Sequence, residues 1–94
     1  MDENTRTPAP RRIFRVTFTT AEGIKRWRYV RCPYQIKNPE DWGDSLAGMQ
    51  TALAEMVMTG VIERFTVSAI APERTRVAAQ KSVRWHEVRE SLAA

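Results

Sequence analysis

Apolar and polar residues alternate from Arg12 to Thr20, in the stretch RIFRVTFTT. Phe14, Val16 and Phe18 fall on one side and Arg15, Thr17 and Thr19 on the other, the period of a half-buried β-strand. After Ala21-Glu22-Gly23 comes a second run over 24–32, IKRWRYVRC, rich in β-branched and aromatic residues and ended by Pro33. Two such runs joined by a short glycine-bearing link predict a hairpin.

The pattern then changes period. Asn38-Pro39-Glu40-Asp41 carries helix-start signals: a capping Asn, Pro at the first helical position and carboxylates at the positive end of the dipole. Trp42, Leu46, Met49, Leu53, Met56 and Val57 recur at helical spacing and predict one apolar stripe. Asp44, Gly48, Thr51, Glu55 and Thr59 fall opposite. Gly43 and Gly48 weaken the first turns by about 1 kcal/mol each relative to Ala, which moves the expected start toward Asp44 or Ser45. Gly60 is placed to end the helix. Residues 61–70 alternate again, Phe65, Val67 and Ala69 against Arg64, Thr66 and Ser68, and predict a third strand closed by Pro72. Over 74–92 a helix aligns Val77, Ala78, Trp85, Val88 and Leu92, whereas SVRWHEV alternates only briefly, so a C-terminal helix is expected.

These elements predict an α+β fold: a small antiparallel three-stranded sheet with one helix packed on a face, in the order strand-strand-helix-strand, then a C-terminal helix. A right-handed crossover lays the third strand beside the first. The 94 residues suffice for one core. A flexible polar arm over 1–11 and a single domain over 12–94 are expected.

Which face Trp27 and Tyr29 take depends on the hairpin loop. A two-residue loop at Glu22-Gly23 opposes Phe18 to Trp27 and Val16 to Tyr29, sending both aromatics to the core. A three-residue loop at Ala21-Glu22-Gly23 opposes Phe18 to Arg26 and reverses every side chain of the second strand. Burying Arg26 and Arg28 under the helix would cost several kcal/mol each if unpaired; burying the aromatics gains roughly 2 to 3 kcal/mol each. On that ground the two-residue loop is expected. The outer face would then carry Arg15, Arg26, Arg28 and Arg64 with Thr17, Thr19 and Thr66 between them, cationic and without stacking rings.

Charge sharpens this picture. Residues 1–37 hold nine Lys/Arg against three Asp/Glu, 38–63 hold none against five, and 64–94 hold six against three, within a net charge of +4. Basic flanks around an acidic middle bear on partners, not on the fold. No stretch approaches the ~20 apolar residues of a membrane span, and no secretory signal is evident, so a cytoplasmic protein is expected.

Chemistry-bearing motifs are scarce. Cys32 and His86 are the single cysteine and histidine, too few for a Cys/His metal cluster. Glu40, Asp41 and Asp44 are explained as helix-start carboxylates. There is no phosphate-binding glycine loop, nucleophile elbow or nucleotide fingerprint. The expectation is a non-enzymatic protein without metal or cofactor.

What remains is binding. Arginine forks suit carboxylates and phosphates alike, and Arg15, Arg26, Arg28 and Arg64 are the expected partner-binding residues. An acidic protein surface is the first expectation, because single-strand readers use exposed rings. In size, charge pattern and element order the chain resembles small phage-encoded inhibitors of host nucleic-acid machinery, anti-CRISPR proteins among them. That resemblance is one of architecture and carries no residue roles. The alternatives are direct, sequence-tolerant binding of double-stranded nucleic acid through the same arginines and a homodimer joined at a strand edge.

Overall fold

The computed structural model describes residues 12–33 and 35–93; the proposed arm over 1–11 lies outside them. The elements are β1 (Arg12–Thr20), β2 (Lys25–Cys32), a 3-10 turn (Pro39–Asp44), α1 (Leu46–Met58) and β3 (Ile62–Ala69). A short 3-10 turn (Pro72–Arg74), α2 (Thr75–Lys81), β4 (Val83–Arg84) and α3 (Trp85–Ala93) complete the chain. The strands form one sheet in the order β3-β1-β2-β4, with β1 antiparallel to β2 and β3, and β4 parallel to β2. The fold is α+β, and β3 does lie beside β1. The sheet is nonetheless four-stranded and mixed, not three-stranded and antiparallel.

The extra strand comes from the C-terminal segment, expected as one helix. The backbone of Ser82 is extended, at φ −75 and ψ 151, and ends α2. Val83 and Arg84 then pair with Val30 and Arg31. Helical counting across that break loses its meaning: Ala78, Trp85 and Val88 are buried, but Val77 is exposed.

One side of the sheet forms the core, where Val16, Phe18, Val30 and Cys32 meet Met49, Ala52 and Leu53 of α1, Ile62, and Trp85 and Val88 of α3. Each large side chain buried there stabilises the fold by roughly 2 kcal/mol. Ser45, not Asn38, caps α1: its Oγ accepts the Gly48 N–H at 3.0 Å and donates to the Trp42 carbonyl. Gly48, expected on the solvent side, is buried, and a Cβ there would collide with the Trp42 carbonyl and the Gly43 backbone. The 3-10 turn therefore folds directly onto the first turn of α1. Trp42 lies before the helix, off its periodicity, and is half exposed instead of joining the stripe.

The hairpin takes the register that had been set aside. The Thr20 N–H donates to the Ile24 carbonyl at 2.9 Å, the Gly23 N–H donates to the Thr20 carbonyl at 2.9 Å, and Gly23 has φ +88. That is a three-residue loop with a left-handed glycine, a conformation L side chains rarely adopt. Phe18 stands opposite Arg26, Val16 opposite Arg28, Thr17 opposite Trp27 and Arg15 opposite Tyr29. The expected burial penalty does not arise, because Lys25, Arg26, Trp27 and Arg28 are all exposed. Arg26 and Arg28 stand at the rim of the helical layer beside Ser91 and Leu92 of α3, so their guanidinium groups stay in water.

Candidate functional site

The sheet face away from α1 gathers residues from three strands. β1 contributes Arg15 and Thr17, β2 contributes Lys25, Trp27 and Tyr29, and β3 contributes Arg64, Thr66 and Ser68. Glu63, at the register irregularity of β3, is the one carboxylate in the strands among the described residues. Trp27 is 43% exposed. The Arg15 guanidinium lies 4.6 Å from the centroid of its ring, and Tyr29 meets it edge to face at 5.0 Å and 74°. A cation over an indole is worth about 0.5 to 1 kcal/mol at an exposed site, and the aromatic pair a similar amount. Both contacts hold the Trp27 ring in place rather than leaving it to sample rotamers.

α2 closes one end of the face. It packs on β1 and β2, and the Arg31 guanidinium donates to the Ser82 carbonyl at its C-terminus. Where α2 ends, a cleft of about 560 Å³ opens along the outer edge of β2, lined by Lys25, Arg26, Trp27, Arg28, Tyr29 and Lys81. Four of those six residues are cations. The edge is itself polar: Thr20 and Ile24 face each other across the ladder, so by alternation the backbone groups of Lys25, Trp27 and Tyr29 turn outward. β4 covers only Val30 and Arg31. The Trp27 carbonyl accepts a hydrogen bond from Arg28 Nη1 at 2.8 Å. Between β1 and β3 a smaller depression of about 210 Å³ is lined by Thr17, Thr19, Lys25, Arg64 and Thr66, with Phe18 and Phe65 beside them.

The four arginines expected on one surface are thus divided. Arg15 and Arg64 lie on the open face. Arg26 and Arg28 project to the helix side, where they line a groove of about 400 Å³ with Phe18, Val61, Ser91 and Leu92, and they also border the cationic cleft at the β2 edge. Trp27 and Tyr29, expected in the core, are the site residues that the sequence reading missed. Gly23 suits either loop, so no local signal in the sequence marks them.

A second constellation centres on Asp44. Its carboxylate, expected to cap the helix beside it, reaches across the chain instead. Oδ1 accepts the backbone N–H of His86 at 3.0 Å, while Oδ2 lies 2.8 Å from His86 Nδ1 and 3.0 Å from an Arg84 nitrogen. Asp44 therefore caps the start of α3, and His86, though half exposed, is tied to it. Cys32 is buried, and burial pushes its thiol from 9.0 up to about 11; Arg12 nearby lowers it and Asp44 raises it. A thiol held protonated in this way is a poor nucleophile.

No helix is long and apolar enough to cross a membrane among the described residues. Comparisons with protein-family models, curated proteins and solved structures find no match.

Proposed function

We propose that the protein is a non-enzymatic binder of single-stranded nucleic acid, with bases stacked on the open sheet face and phosphates running along the β2 edge. The observation that carries this reading is the hairpin register, which sets Trp27 and Tyr29 among cations on an exposed face. Single-strand readers combine a positive groove that follows the backbone with rings on which bases stack, at about 1 to 3 kcal/mol per base. Here Lys25, Arg26, Arg28 and Lys81 supply the groove and Trp27 the stacking ring. Arg15 and Arg64, with the hydroxyls of Thr17 and Thr66, meet further phosphates or base edges. A deep, narrow A-form groove or a stacked duplex offers no unstacked base to Trp27, so single strands are preferred. A lone, buried, unpaired cysteine is in keeping with a cytoplasmic setting.

The test is fluorescence anisotropy with a labelled single strand and the duplex of the same sequence, between about 50 and 300 mM salt. Three to four phosphate contacts give a log–log slope of about −2 to −3 on the single strand. Trp27→Ala weakens binding about 5- to 150-fold while largely preserving that slope. The double variant Arg26→Ala/Arg28→Ala flattens it. No single-strand binding at low salt, or tighter duplex binding indifferent to Trp27, sinks the proposal.

A second reading is favoured by the groove in which Arg26 and Arg28 stand beside Val61 and Leu92. The groove also holds Glu22, and its two arginines suit carboxylates of a protein surface; Trp, Tyr and Arg are the residues that dominate protein interfaces. This is the reading in which the chain acts as an inhibitor of the phage type. Recovery of one acidic protein from native lysate, lost in the Arg26/Arg28 variant and unaffected by nuclease, selects it.

A further inference from the structure

We infer that the outer edge of β3 pairs with the same edge of a second copy of this chain, in a twofold antiparallel arrangement that continues the sheet across a dimer. The inference is independent of what the open face binds.

β3 ends the sheet, and no described strand covers it. Since the even-numbered residues of β1 bond toward β2, its odd-numbered residues bond toward β3 through Arg64, Thr66 and Ser68. The backbone groups of Phe65 and Val67 are left pointing outward. Natural edges are commonly blunted by lysine, proline, bulges or short length. The free edge of β2 is treated in that manner, with Arg28 on the Trp27 carbonyl and cations around it. β3 offers eight residues, IERFTVSA, with neither lysine nor proline, and its bulge lies at the Thr19/Thr20 end.

Charge identifies a second copy as the occupant. The chain carries +4, yet Glu63 and Arg64 offset each other along this edge, and the sole charged residue of α1 beside it is Glu55. Two basic chains approach here with the least repulsion. Apolar surface is concentrated in the same place: Met58, Val57 and Val61, at 84%, 37% and 43% exposed, sit where α1 turns into β3. Phe65 and Val67 on the helix side of β3 are only partly covered.

Sequence selects the register. A twofold axis through Thr66 opposes Phe65 to the partner's Val67, Arg64 to the partner's Ser68 and Glu63 to the partner's Ala69. Like faces then meet, and no like charges are opposed. Centring on Arg64 would set that arginine against itself, and centring on Phe65 would set Glu63 against valine. In the Thr66-centred pairing both α1 helices lie on one side of the seam. The corner of Met58 and Val61 in each copy then meets Ala69 and Ile70 of the other.

Sedimentation equilibrium without nucleic acid tests this. The expected mass is twice 10.8 kDa at concentrations up to ~100 µM. Val67→Pro removes an outward N–H without touching the β1 ladder, and Met58→Lys places a charge on a fully accessible position; each raises the dimer Kd at least ~10-fold. Met58→Lys decides the matter if the proline variant fails to fold. Thr66→Cys forms a covalent dimer when oxidised glutathione accepts the two electrons and the two thiols lose their protons, while buried Cys32 stays out of the reaction. Trp27→Ala remains a dimer, so loss of nucleic-acid binding and loss of self-association are read separately. A monomer across that range, or a dimer that neither Val67→Pro nor Met58→Lys weakens, overturns the inference.

Discussion

Asp44→Ala removes one carboxylate that serves three donors from the far end of the chain. Its bond to the His86 backbone N–H is the capping interaction of α3, worth about 1 kcal/mol. The pair with Arg84, whose side chain is 39% exposed, adds at most about 1 kcal/mol after solvent screening, and the His86 ring a similar or smaller amount. The expected loss is ~2 to 3 kcal/mol. For a domain of this size that lowers Tm by roughly 8 to 20 °C and moves the urea midpoint down by about 2 M at an m-value of about 1 kcal/mol/M. Asp44→Asn keeps an acceptor for the backbone N–H while losing the charge, and recovers about half of the loss. Urea melts followed by far-UV circular dichroism measure all three proteins. The effect extends beyond the cap, because the same contact fixes where α3 begins and so how Trp85 enters the core. An alanine variant within about 0.5 kcal/mol of the parent would refute the reasoning, since that is the range of an ordinary surface substitution.

Gly48→Ala, which gains about 1 kcal/mol of helix propensity at an open site, is expected to destabilise by at least ~2 kcal/mol in a urea melt, because the methyl group meets the Trp42 carbonyl and Gly43 backbone. Cys32 holds its proton in the folded state between 9.0 and about 11, where the unfolded chain releases it. The stability this supports is intact below pH 9 and lost as pH rises toward 11, by ~3 kcal/mol at most; Cys32→Ala melts compared at pH 8 and 10.5 show a smaller fall than the parent. Trp27→Phe retains most single-strand affinity, and Trp27→Ala lowers stability by about 1 to 2 kcal/mol through its Arg15 and Tyr29 contacts, too little to unfold the domain, so anisotropy and urea melts together separate a stacking ring from a structural one.

Much of this fold was legible where local chemistry decides it. The alternation of RIFRVTFTT and of 61–70 marked β1 and β3 correctly, and the expected helix start near Asp44 or Ser45 lies within two residues of Leu46, where α1 begins after its Ser45 cap. The hairpin register was not legible, because Gly23 serves two- and three-residue loops equally. Burial would decide the register only if the helices covered the whole sheet. Arg26 and Arg28 lie at the rim beside Ser91 and Leu92 of α3 and reach solvent from the core side at little cost. The candidate site failed at the same point, since one residue of register decides whether Trp27 is core or surface. The Asp44 cap of α3 was beyond reach for another reason: it joins residues 42 apart, and no local pattern encodes that meeting.

β4 is only two residues long, yet it sets an order of assembly. Its partners, Val30 and Arg31, leave the ribosome some fifty residues before Val83 and Arg84. A hairpin is a local structure and closes early, so during synthesis Trp27 and Tyr29 present their face while the cleft beside them still lacks Lys81 and the clamp of Arg31 on Ser82. The cationic cleft is complete only once Lys81 and Ser82 have been added to the chain.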